Sequence, residues 1–277
     1  MKKIIVLTFF TITIFCTSLF AQKLEYSPKQ IIHENGVFST QIIKWETKDW
    51  LLVGGGCAAT FLLMETADKN VQNAALTGTR KYLGTFTVTS GNLYGSQYIF
   101  PSIGGVFALI YFTSKNYKAK KFSYEVMQTG LYSIALVGAL KFIIGRERPD
   151  YENGKVFKFH PFDFNNITSQ RYVSLPSGHA AISFGLSTII SRNIKNKWLK
   201  VLAYVPSLVT VNARVYENVH WTSDIFAGAL IGYFVGTWVV NFHENEEARL
   251  KMSSLYPMKI SYSLSKPKKN LTYKSAY

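Results

Sequence analysis

A succession of long apolar segments constrains the fold of this chain more than any other feature. The segments are longer than typical β-strands, and most lack the alternation of apolar and polar residues that a half-buried strand shows. They occupy residues 50–64, 98–112, 126–144, 179–190, 198–211 and 225–242. We therefore predict an all-α protein built as a bundle of about six apolar helices.

The two ends of the chain differ from this apolar middle. Residues 1–21 begin with Lys2 and Lys3, continue with an apolar run and end at Ala21, a pattern typical of a secretory signal peptide. An uncleaved first membrane helix is the alternative. The remaining divisions that we predict are a polar N-terminal segment at 22–48, the helical domain at 49–243 with a more amphipathic helix at 66–82, and a basic C-terminal tail at 244–277 with a short strand at 259–264.

The apolar segments favour membrane association, but they are uneven. Segment 225–242 carries no charged residue and is a good candidate for a membrane span, whereas segments 50–64 and 98–112 fall short of the roughly 20 residues that a span requires. A mean hydropathy of +0.07 also suits a soluble helical protein. If the helices span, the basic stretches at 115–121 and 192–200 predict that these two connections are cytoplasmic.

The charge balance points to an anionic partner. A formal net charge of +15 attracts nucleic acid, acidic lipid headgroups or phosphorylated substrates. The basic residues are scattered among the apolar segments without a recognition-helix or aromatic-platform pattern, so we predict no nucleic-acid partner. With only Cys16 and Cys57 in the sequence, a disulfide framework and a cysteine metal site are both excluded.

The first motif that could take part in binding or catalysis is the stretch KFIIGRERPD, at the end of the third apolar segment. Lys141 and Arg148 are seven positions apart, which is two helical turns, so a helix that continues to Pro149 places both on one face. Taken alone, the pair also fits a snorkelling lysine and an arginine at a helix end.

The second motif is the stretch PSGH at 176–179, directly before the fourth segment. A helix start offers free backbone N–H groups and a positive dipole end to an anion. Gly178 would let the anion approach the backbone, and Ser177 adds a hydroxyl donor. Taken alone, the same residues describe an ordinary helix entry with a partly exposed His179.

The third motif is NARVYENVHWTSD at 212–224. Arg214 ends the fifth segment, and His220 and Asp224 flank the start of the sixth at a spacing that lets them meet on one helical face. A carboxylate that binds one ring N–H leaves the other imidazole nitrogen basic and aimed. A purely structural His–Asp pair is the alternative.

The three motifs share one feature: each lies just outside an apolar helix. In an up-and-down bundle the connections after the third and fifth helices and before the fourth lie at one end. One ammonium, two guanidinium groups, a helix N-terminus, two histidines and an aspartate would then converge, and guanidinium groups match phosphate oxygens two at a time. The sequence therefore predicts a phosphate site with a nucleophile at one end of the bundle.

In this order and spacing, the motifs resemble the type 2 phosphatidic acid phosphatase family, which shares its site with vanadium haloperoxidases and bacterial class A acid phosphatases. The family pattern is Lys-x6-Arg-Pro, Pro-Ser-Gly-His and Ser-Arg-x5-His-x3-Asp, matched here from Lys141 to Asp224, and the helix layout extends the match to about 50–242. Ala213 departs from it, since the family often has Ser there. The resemblance implies a vanadium-haloperoxidase-like helical fold.

The resemblance also implies residue roles, in a metal-independent phosphatase that needs no cofactor. His220 would attack phosphorus and form a phosphohistidine, Asp224 would orient it, and His179 would protonate the leaving group and later activate water. The residues that would hold the phosphoryl oxygens are Lys141, Arg148, Ser177, Gly178 and Arg214. We exclude Arg146, which is off the Lys141/Arg148 face, and Arg171, which is outside the motifs.

The indications of which side of the membrane the site faces disagree with each other. The family usually has its site on the extracytoplasmic face, and the basic connections agree. Six full spans from an exported residue 22 would instead place the site inside. Either segment 50–64, weakened by three consecutive glycines, does not span fully, or the domain is soluble in the periplasm. We expect a membrane-associated envelope protein with a periplasmic site.

The substrate follows from that choice. A membrane-seated site implies a lipid phosphate or diphosphate, such as phosphatidate, phosphatidylglycerophosphate, an isoprenoid diphosphate or lipid A, and a soluble site implies small phosphomonoesters. Two other classes stay open: a vanadium-dependent haloperoxidase with His220 as the vanadate ligand, and a non-enzymatic envelope protein. The motifs do not predict the oligomeric state.

Overall fold

Helices make up most of the described chain. The computed structural model describes residues 24–77, 84–151, 154–165 and 169–255. In chain order the helices are α1 (Pro28–Ser39), α2 (Thr47–Thr66), α3 (Asp68–Thr77), α4 (Thr85–Tyr94), α5 (Ile99–Ser114), α6 (Tyr117–Ile144), α7 (Gly178–Asn193), α8 (Lys197–Leu202), α9 (Val205–Tyr216) and α10 (Thr222–Leu255). Within these ranges β pairing is limited to one isolated bridge between Arg146 and Phe159. The predicted all-α class is confirmed.

The core forms where α7 and α10 pack against each other, with α6 beside them. Close approach of the two backbones requires glycine: a Cβ at Gly232 would lie 2.1 Å from the carbonyl oxygen of Ala181, and one at Gly228 would lie 2.3 Å from that of Ser177. Apolar side chains from these helices and from α5 close the core around the contact. They are Phe100, Val126, Tyr132, Ile182, Leu186, Ile189, Val235, Val239 and Val240.

Helix α6 starts earlier and ends earlier than the sequence predicted. The side chain of Asn116 caps its first turn by accepting from the backbone N–H of Lys118 at 3.0 Å, so the basic stretch at 115–121 largely belongs to the helix. Its C-terminus is set by Gly145, in the left-handed region at φ +59°, and not by Pro149. Our assumption of a shared helical face for Lys141 and Arg148 is therefore wrong, because Arg148 follows the helix.

Two other helices depart from the predicted segments. The fifth predicted helix is divided into α8 and α9, and α9 begins one residue before Pro206, which lacks the N–H that a continuous helix would need. The sixth extends to Leu255, so the first part of the predicted C-terminal tail is helical. The predicted amphipathic helix at 66–82 is represented by α3, and its last residues, 78–82, lie outside the described residues. The predicted signal peptide and the strand at 259–264 lie outside the described residues.

Helices α1 and α4 were not predicted. Helix α1 buries Gln30 and Glu34 instead of an apolar stripe, so its sequence lacks the expected periodicity. Helix α4, TFTVTSGNLY, is rich in residues of low helix propensity, and its packing against α9 overrides that preference. In both cases tertiary contacts decide the local structure.

Among the described residues, two helices, α6 and α10, are long and apolar enough to cross a membrane. Two pairs of consecutive helices are also long and apolar enough to cross a membrane when each bent pair is counted as one broken span. The pair α2/α3 bends by 51° and the pair α4/α5 by 68°, which raises the number of candidate spans to four. The predicted membrane association is thus compatible with fewer spans than the six apolar segments would provide.

The glycine contact between α7 and α10 yields a test of the fold. Gly232→Ala should lower the free energy of unfolding by about 1–3 kcal/mol or more, because the new methyl group forces two backbones apart. Gly55→Ala in α2 is the control. Its Cβ would meet nothing within 4 Å, so the substitution should raise stability by a few tenths to about 1 kcal/mol. Thermal unfolding of both purified variants in detergent measures the difference, and equal midpoints would contradict this account of the core.

Candidate active site

Four helix ends meet at one end of the bundle and carry the predicted residues. Lys141 lies in the last turn of α6, and Arg148 follows that helix. His179 lies in the first turn of α7, and Arg214 lies in the last turn of α9. The loop before α10 brings His220 to the same end. Basic residues of the opposite helix ends, Lys118 in α6 and Arg192 in α7, lie far from this site along the same helices.

Asp224 is fully buried at the start of α10 and held by four neighbours. One of its oxygens, Oδ1, accepts from Nη1 of Arg146 at 2.6 Å. The other, Oδ2, accepts from the hydroxyl of Ser174 at 2.5 Å and from the backbone N–H of Trp221 at 2.9 Å. The same Oδ2 lies 3.6 Å from Nδ1 of His220, an ion-pair distance longer than a normal hydrogen bond. These contacts fix the carboxylate beside the imidazole.

His220 is a neutral base in the free site. Burial lowers its pKa to about 4, as do the positive charges of Lys141 and Arg148, while Asp224 opposes the shift. Since Nδ1 faces Asp224, the second nitrogen, Nε2, is the one left for chemistry. Neutral imidazole with a free Nε2 is the form that a nucleophile needs at neutral pH.

His179 lies within electrostatic reach of four other site residues. Burial lowers its pKa to about 3, followed by the interactions with Arg214, His220, Lys141 and Arg148. The turn between α4 and α5 closes against its ring, where a Cβ at Gly95 would lie 3.0 Å from the His179 ring. The ring is therefore neutral until an anion enters the cluster.

The three cations have different partners. The ammonium of Lys141 donates to the carbonyl of Val173, and a terminal nitrogen of Arg148 donates to Gln170 at 3.3 Å. The guanidinium of Arg214 donates to the side chains of Asn92 and Glu217. Within the described part of the chain, the buried Nε–H groups of Arg148 and Arg214 have no hydrogen-bond partner. Two charged donors therefore remain for an anion.

The helix start itself contributes a cap and an open position. Ser177 is the N-cap of α7, and its hydroxyl oxygen accepts from the backbone N–H of Ala180 at 3.4 Å. The backbone N–H of Ser177 donates to the carbonyl of Asp224 at 2.9 Å, which joins the second motif to the third. A Cβ at Gly178 would meet only Val137, at 3.8 Å, so the backbone there is open to a ligand. The structure thus brings all eight predicted site residues to one end of the bundle.

Four buried residues around Asp224 escaped the sequence analysis. Arg146 was excluded as off the Lys141/Arg148 face, and it does lie elsewhere, but there it binds Asp224 and Asp68. Ser174 and Ser223 donate to these two carboxylates, Ser174 to Asp224 and Ser223 to Asp68. Arg146, two positions before Arg148 in the first motif, and Ser223, directly before Asp224 in the third, carried a local indication. Asp68 is distant in sequence and lies in no motif.

A cavity of about 460 Å³ opens beside the charged cluster. Lys141 and His179 lie at one side of it, and the apolar side chains of Ile134, Val137 and Ile182 line its continuation along α6 and α7. Residues 95–98, between α4 and α5, form the opposite wall. The cavity therefore joins a charged site to an apolar one.

Such a site, at one end of an all-α bundle, defines an anion-binding helical protein with two histidines in the anion site. Residues 126–248 match the profile of the PAP2 superfamily. The family predicted from the three motifs is confirmed, and the match includes both histidines, Asp224 and all of the predicted cations.

Three curated relatives illustrate what the chain is similar to. The Lipid A 1-phosphatase of Porphyromonas gingivalis is 26% identical over 185 residues, covering 64% of this chain and 35% of the relative. The Probable lipid phosphate phosphatase 4 of Arabidopsis thaliana is 32% identical over 126 residues, covering 36% and 40%. The Undecaprenyl-diphosphatase of Sulfolobus acidocaldarius is 30% identical over 108 residues, covering 37% and 52%. The chain thus spans about a third to a half of the length of these relatives.

Burial of a neutral His220 makes stability depend on pH. Its pKa is about 4 in the folded state and 6.5 ordinarily, so the unfolded state binds more protons between these values. The contribution to stability is complete above about pH 6.5 and is lost as the pH falls toward 4, by about 3 kcal/mol. The unfolding midpoint of the wild type should therefore drop more steeply over this range than that of His220→Gln. Parallel pH profiles for the two proteins would contradict the assignment.

Proposed function

We propose that this protein is a metal-independent phosphatase that hydrolyses the phosphate monoester or diphosphate of a membrane lipid. One observation carries the proposal: a neutral His220 faces the buried Asp224 inside a cluster of three cations that also reaches His179. A nucleophile, an orienting carboxylate, a second proton-transfer group and phosphate-binding charges are the parts that phosphoryl transfer through a covalent intermediate needs.

The geometry supports the following first half-reaction. Nε2 of His220 attacks phosphorus, the bond from phosphorus to the leaving oxygen breaks, and a phosphohistidine forms. The substrate's negative charge offsets the cations that depress the pKa of His179, so this ring binds a proton and delivers it to the leaving oxygen. Asp224 stabilises the positive charge that develops on His220.

The second half-reaction regenerates His220, and His179 returns to its neutral form by releasing its proton when phosphate leaves the site. His179, now neutral, accepts a proton from water as that water attacks phosphorus. The P–N bond breaks, inorganic phosphate forms and His220 is regenerated. In both steps Lys141, Arg148 and Arg214 balance the charge on the equatorial oxygens, and the buried, unpartnered Nε–H groups of the two arginines are suited to donate to them.

A lipid is favoured over a small soluble ester by what adjoins the charged cluster. The cavity that begins at Lys141 and His179 continues between apolar side chains of α6 and α7, as a site for the apolar part of a substrate requires. Helix α6, which lines the cavity, is also a candidate membrane span. The relatives act on lipid A, lipid phosphates and undecaprenyl diphosphate by name, and a phosphate on a membrane lipid is common to these substrates.

The placement of charge favours a site that faces away from the cytoplasm. The basic residues at the start of α6 and the end of α7 lie at the end of the bundle opposite the active site. Basic residues flanking membrane helices favour the cytoplasmic side. The protein would therefore act in the cell envelope, with the active site at the periplasmic face.

Removal of the nucleophile provides the direct test. His220→Ala should lower phosphate release at least about 10³-fold, because no other group supplies the covalent step. His33→Ala, in an exposed histidine on α1, is the matched control and should retain wild-type turnover. Phosphate release from vesicles carrying phosphatidate, an isoprenoid diphosphate or lipid A measures the effect. Near-normal turnover by His220→Ala would refute the mechanism, and bromination dependent on added vanadate without phosphate release would favour a haloperoxidase.

The cavity provides a test of the substrate class. Gly138 lines it, and a Cβ there would meet nothing within 4 Å, so Gly138→Phe should fill the cavity without a backbone clash. The ratio of lipid phosphate hydrolysis to hydrolysis of a small soluble phosphomonoester should fall about tenfold or more. A tenfold change corresponds to the loss of about 1.4 kcal/mol of apolar contact with the lipid. Gly105→Phe on α5 is the matched control. An unchanged ratio in Gly138→Phe would argue against this cavity as the lipid site.

A further inference from the structure

Helix α3 lies outside the family match at 126–248, yet its first residue reaches the charged core of the site. We propose that Asp68 is a positioning residue for catalysis, which acts on His220 by sharing the guanidinium of Arg146 with Asp224. This inference rests on the proposed phosphatase function. It adds to that function a residue from a part of the chain that the three motifs do not include.

The guanidinium of Arg146 forms ion pairs with both carboxylates, that of Asp68 and that of Asp224. Nη2 of Arg146 lies 2.7 Å from Oδ2 of Asp68, and Nη1 of the same guanidinium lies 2.6 Å from Oδ1 of Asp224. The side chains of all three residues are 0% exposed. The guanidinium is planar and presents its nitrogens in a fixed fork, so the position of one carboxylate limits the position of the other.

Ser223 ties Asp68 to the start of α10 as well. Its backbone N–H donates to Oδ1 of Asp68 at 2.8 Å, and its hydroxyl donates to Oδ2 at 2.6 Å. Nη1 of Arg146 in turn donates to the same hydroxyl at 2.7 Å. Asp68 therefore accepts a backbone N–H at the N-terminus of α10, next to Asp224.

A second residue on the same face of α3 holds both catalytic loops. Gln72 follows Asp68 by four positions, one helical turn, and its side-chain amide donates to the carbonyl of Pro149 at 3.1 Å and to the side chain of Asn218 at 3.2 Å. Pro149 adjoins Arg148, and Asn218 lies two positions before His220. Helix α3 thus braces the loop that carries a phosphate-binding arginine and the loop that carries the nucleophile.

The negative charge of Asp68 also changes how strongly His220 binds a proton, an effect that its structural contacts alone would not have. Asp68, Arg146 and Asp224 together carry one net negative charge, and His220 faces that charge on one side. On its other sides lie Lys141 and Arg148, from α6 and the segment after it, and His179 from α7. Without the charge of Asp68, Arg146 would neutralise Asp224 alone, and Asp224 would attract a proton on His220 less strongly.

Asp68→Asn tests the proposal, because it keeps the shape and removes the charge. We expect kcat to fall about 10–100-fold while KM changes by less than about twofold, since a positioning group acts on the nucleophile and not on substrate binding. The acid limb of the kcat profile should move to lower pH by about one unit, because a weaker base loses its proton more readily. An unchanged kcat and an unshifted profile would overturn the proposal.

Glu125→Gln is the matched control for a structural effect. Glu125 is a buried carboxylate at the opposite end of the bundle, 3.3 Å from Nδ1 of His243, so its loss also removes a buried charge but touches no site residue. It should leave kcat and the pH profile unchanged, whatever its effect on the unfolding midpoint. Equal losses of activity in the two variants, without a pH shift in Asp68→Asn, would mean that Asp68 is only structural.

Two further measurements keep the test decisive. If Asp68→Asn does not fold, Ser223→Ala retains every charge but breaks the link through the hydroxyl, and it should lower kcat several-fold with KM unchanged; no change would count against the proposal. If the wild type releases no phosphate from any substrate, the proposed function fails, but the coupling is still measured by ¹⁵N-histidine NMR titration. The pKa of His220 should be about one unit lower in Asp68→Asn than in the wild type, and identical titrations would refute the coupling.

Discussion

The close contact between α7 and α10 is the constraint on which the rest of the structure depends. Gly228 and Gly232 allow the two helices to approach until backbone meets backbone, and the N–H of Ser177 donates to the carbonyl of Asp224 at 2.9 Å. This contact places the first turn of α7 beside the start of α10, so that His179 and His220 serve one site. Larger side chains at Gly228 and Gly232 would push α7 and α10 apart and would thereby separate His179 from His220.

Buried charge is organised at both ends of the bundle, but with different consequences. At the active end, Asp224 is paired with Arg146, and the buried Nε–H groups of Arg148 and Arg214 have no partner among the described residues. At the other end, His243 lies 3.4 Å from Glu34 of α1 and 3.3 Å from Glu125 of α6, and Tyr124 and Gln128 each donate to Glu34 at 2.7 Å. Buried ion pairs contribute little net stability compared with apolar packing, so their main effect is to specify geometry. One network docks an N-terminal helix, and the other holds a carboxylate beside an imidazole.

The electrostatics of the site are consistent with the opposite roles that we propose for the two histidines. Both imidazoles are neutral in the free site because burial and the surrounding cations disfavour protonation. Of the two, His220 has a carboxylate against one ring nitrogen, as the proposed nucleophile requires. A phosphate dianion would neutralise much of the cationic field, which would allow His179 to be protonated when an acid is needed. In the proposed mechanism, substrate binding and proton supply are therefore coupled.

The sequence by itself determined the helical class, the resemblance to the family and the set of candidate site residues, because each of these depends on local patterns. Apolar runs predict helices, and the charged and polar residues of the three motifs lie at the ends of those runs. It was wrong about the Lys141/Arg148 helical face, since Gly145 ends α6 before Arg148. Only the tertiary structure decided the presence of α1, which docks through Gln30 and Glu34, and the contact of Asp68 with Arg146, which joins residues 78 positions apart in the chain. Hydrogen bonds and ion pairs between distant segments leave no periodicity in the sequence, so the groups that support the site became visible only once the helices were packed.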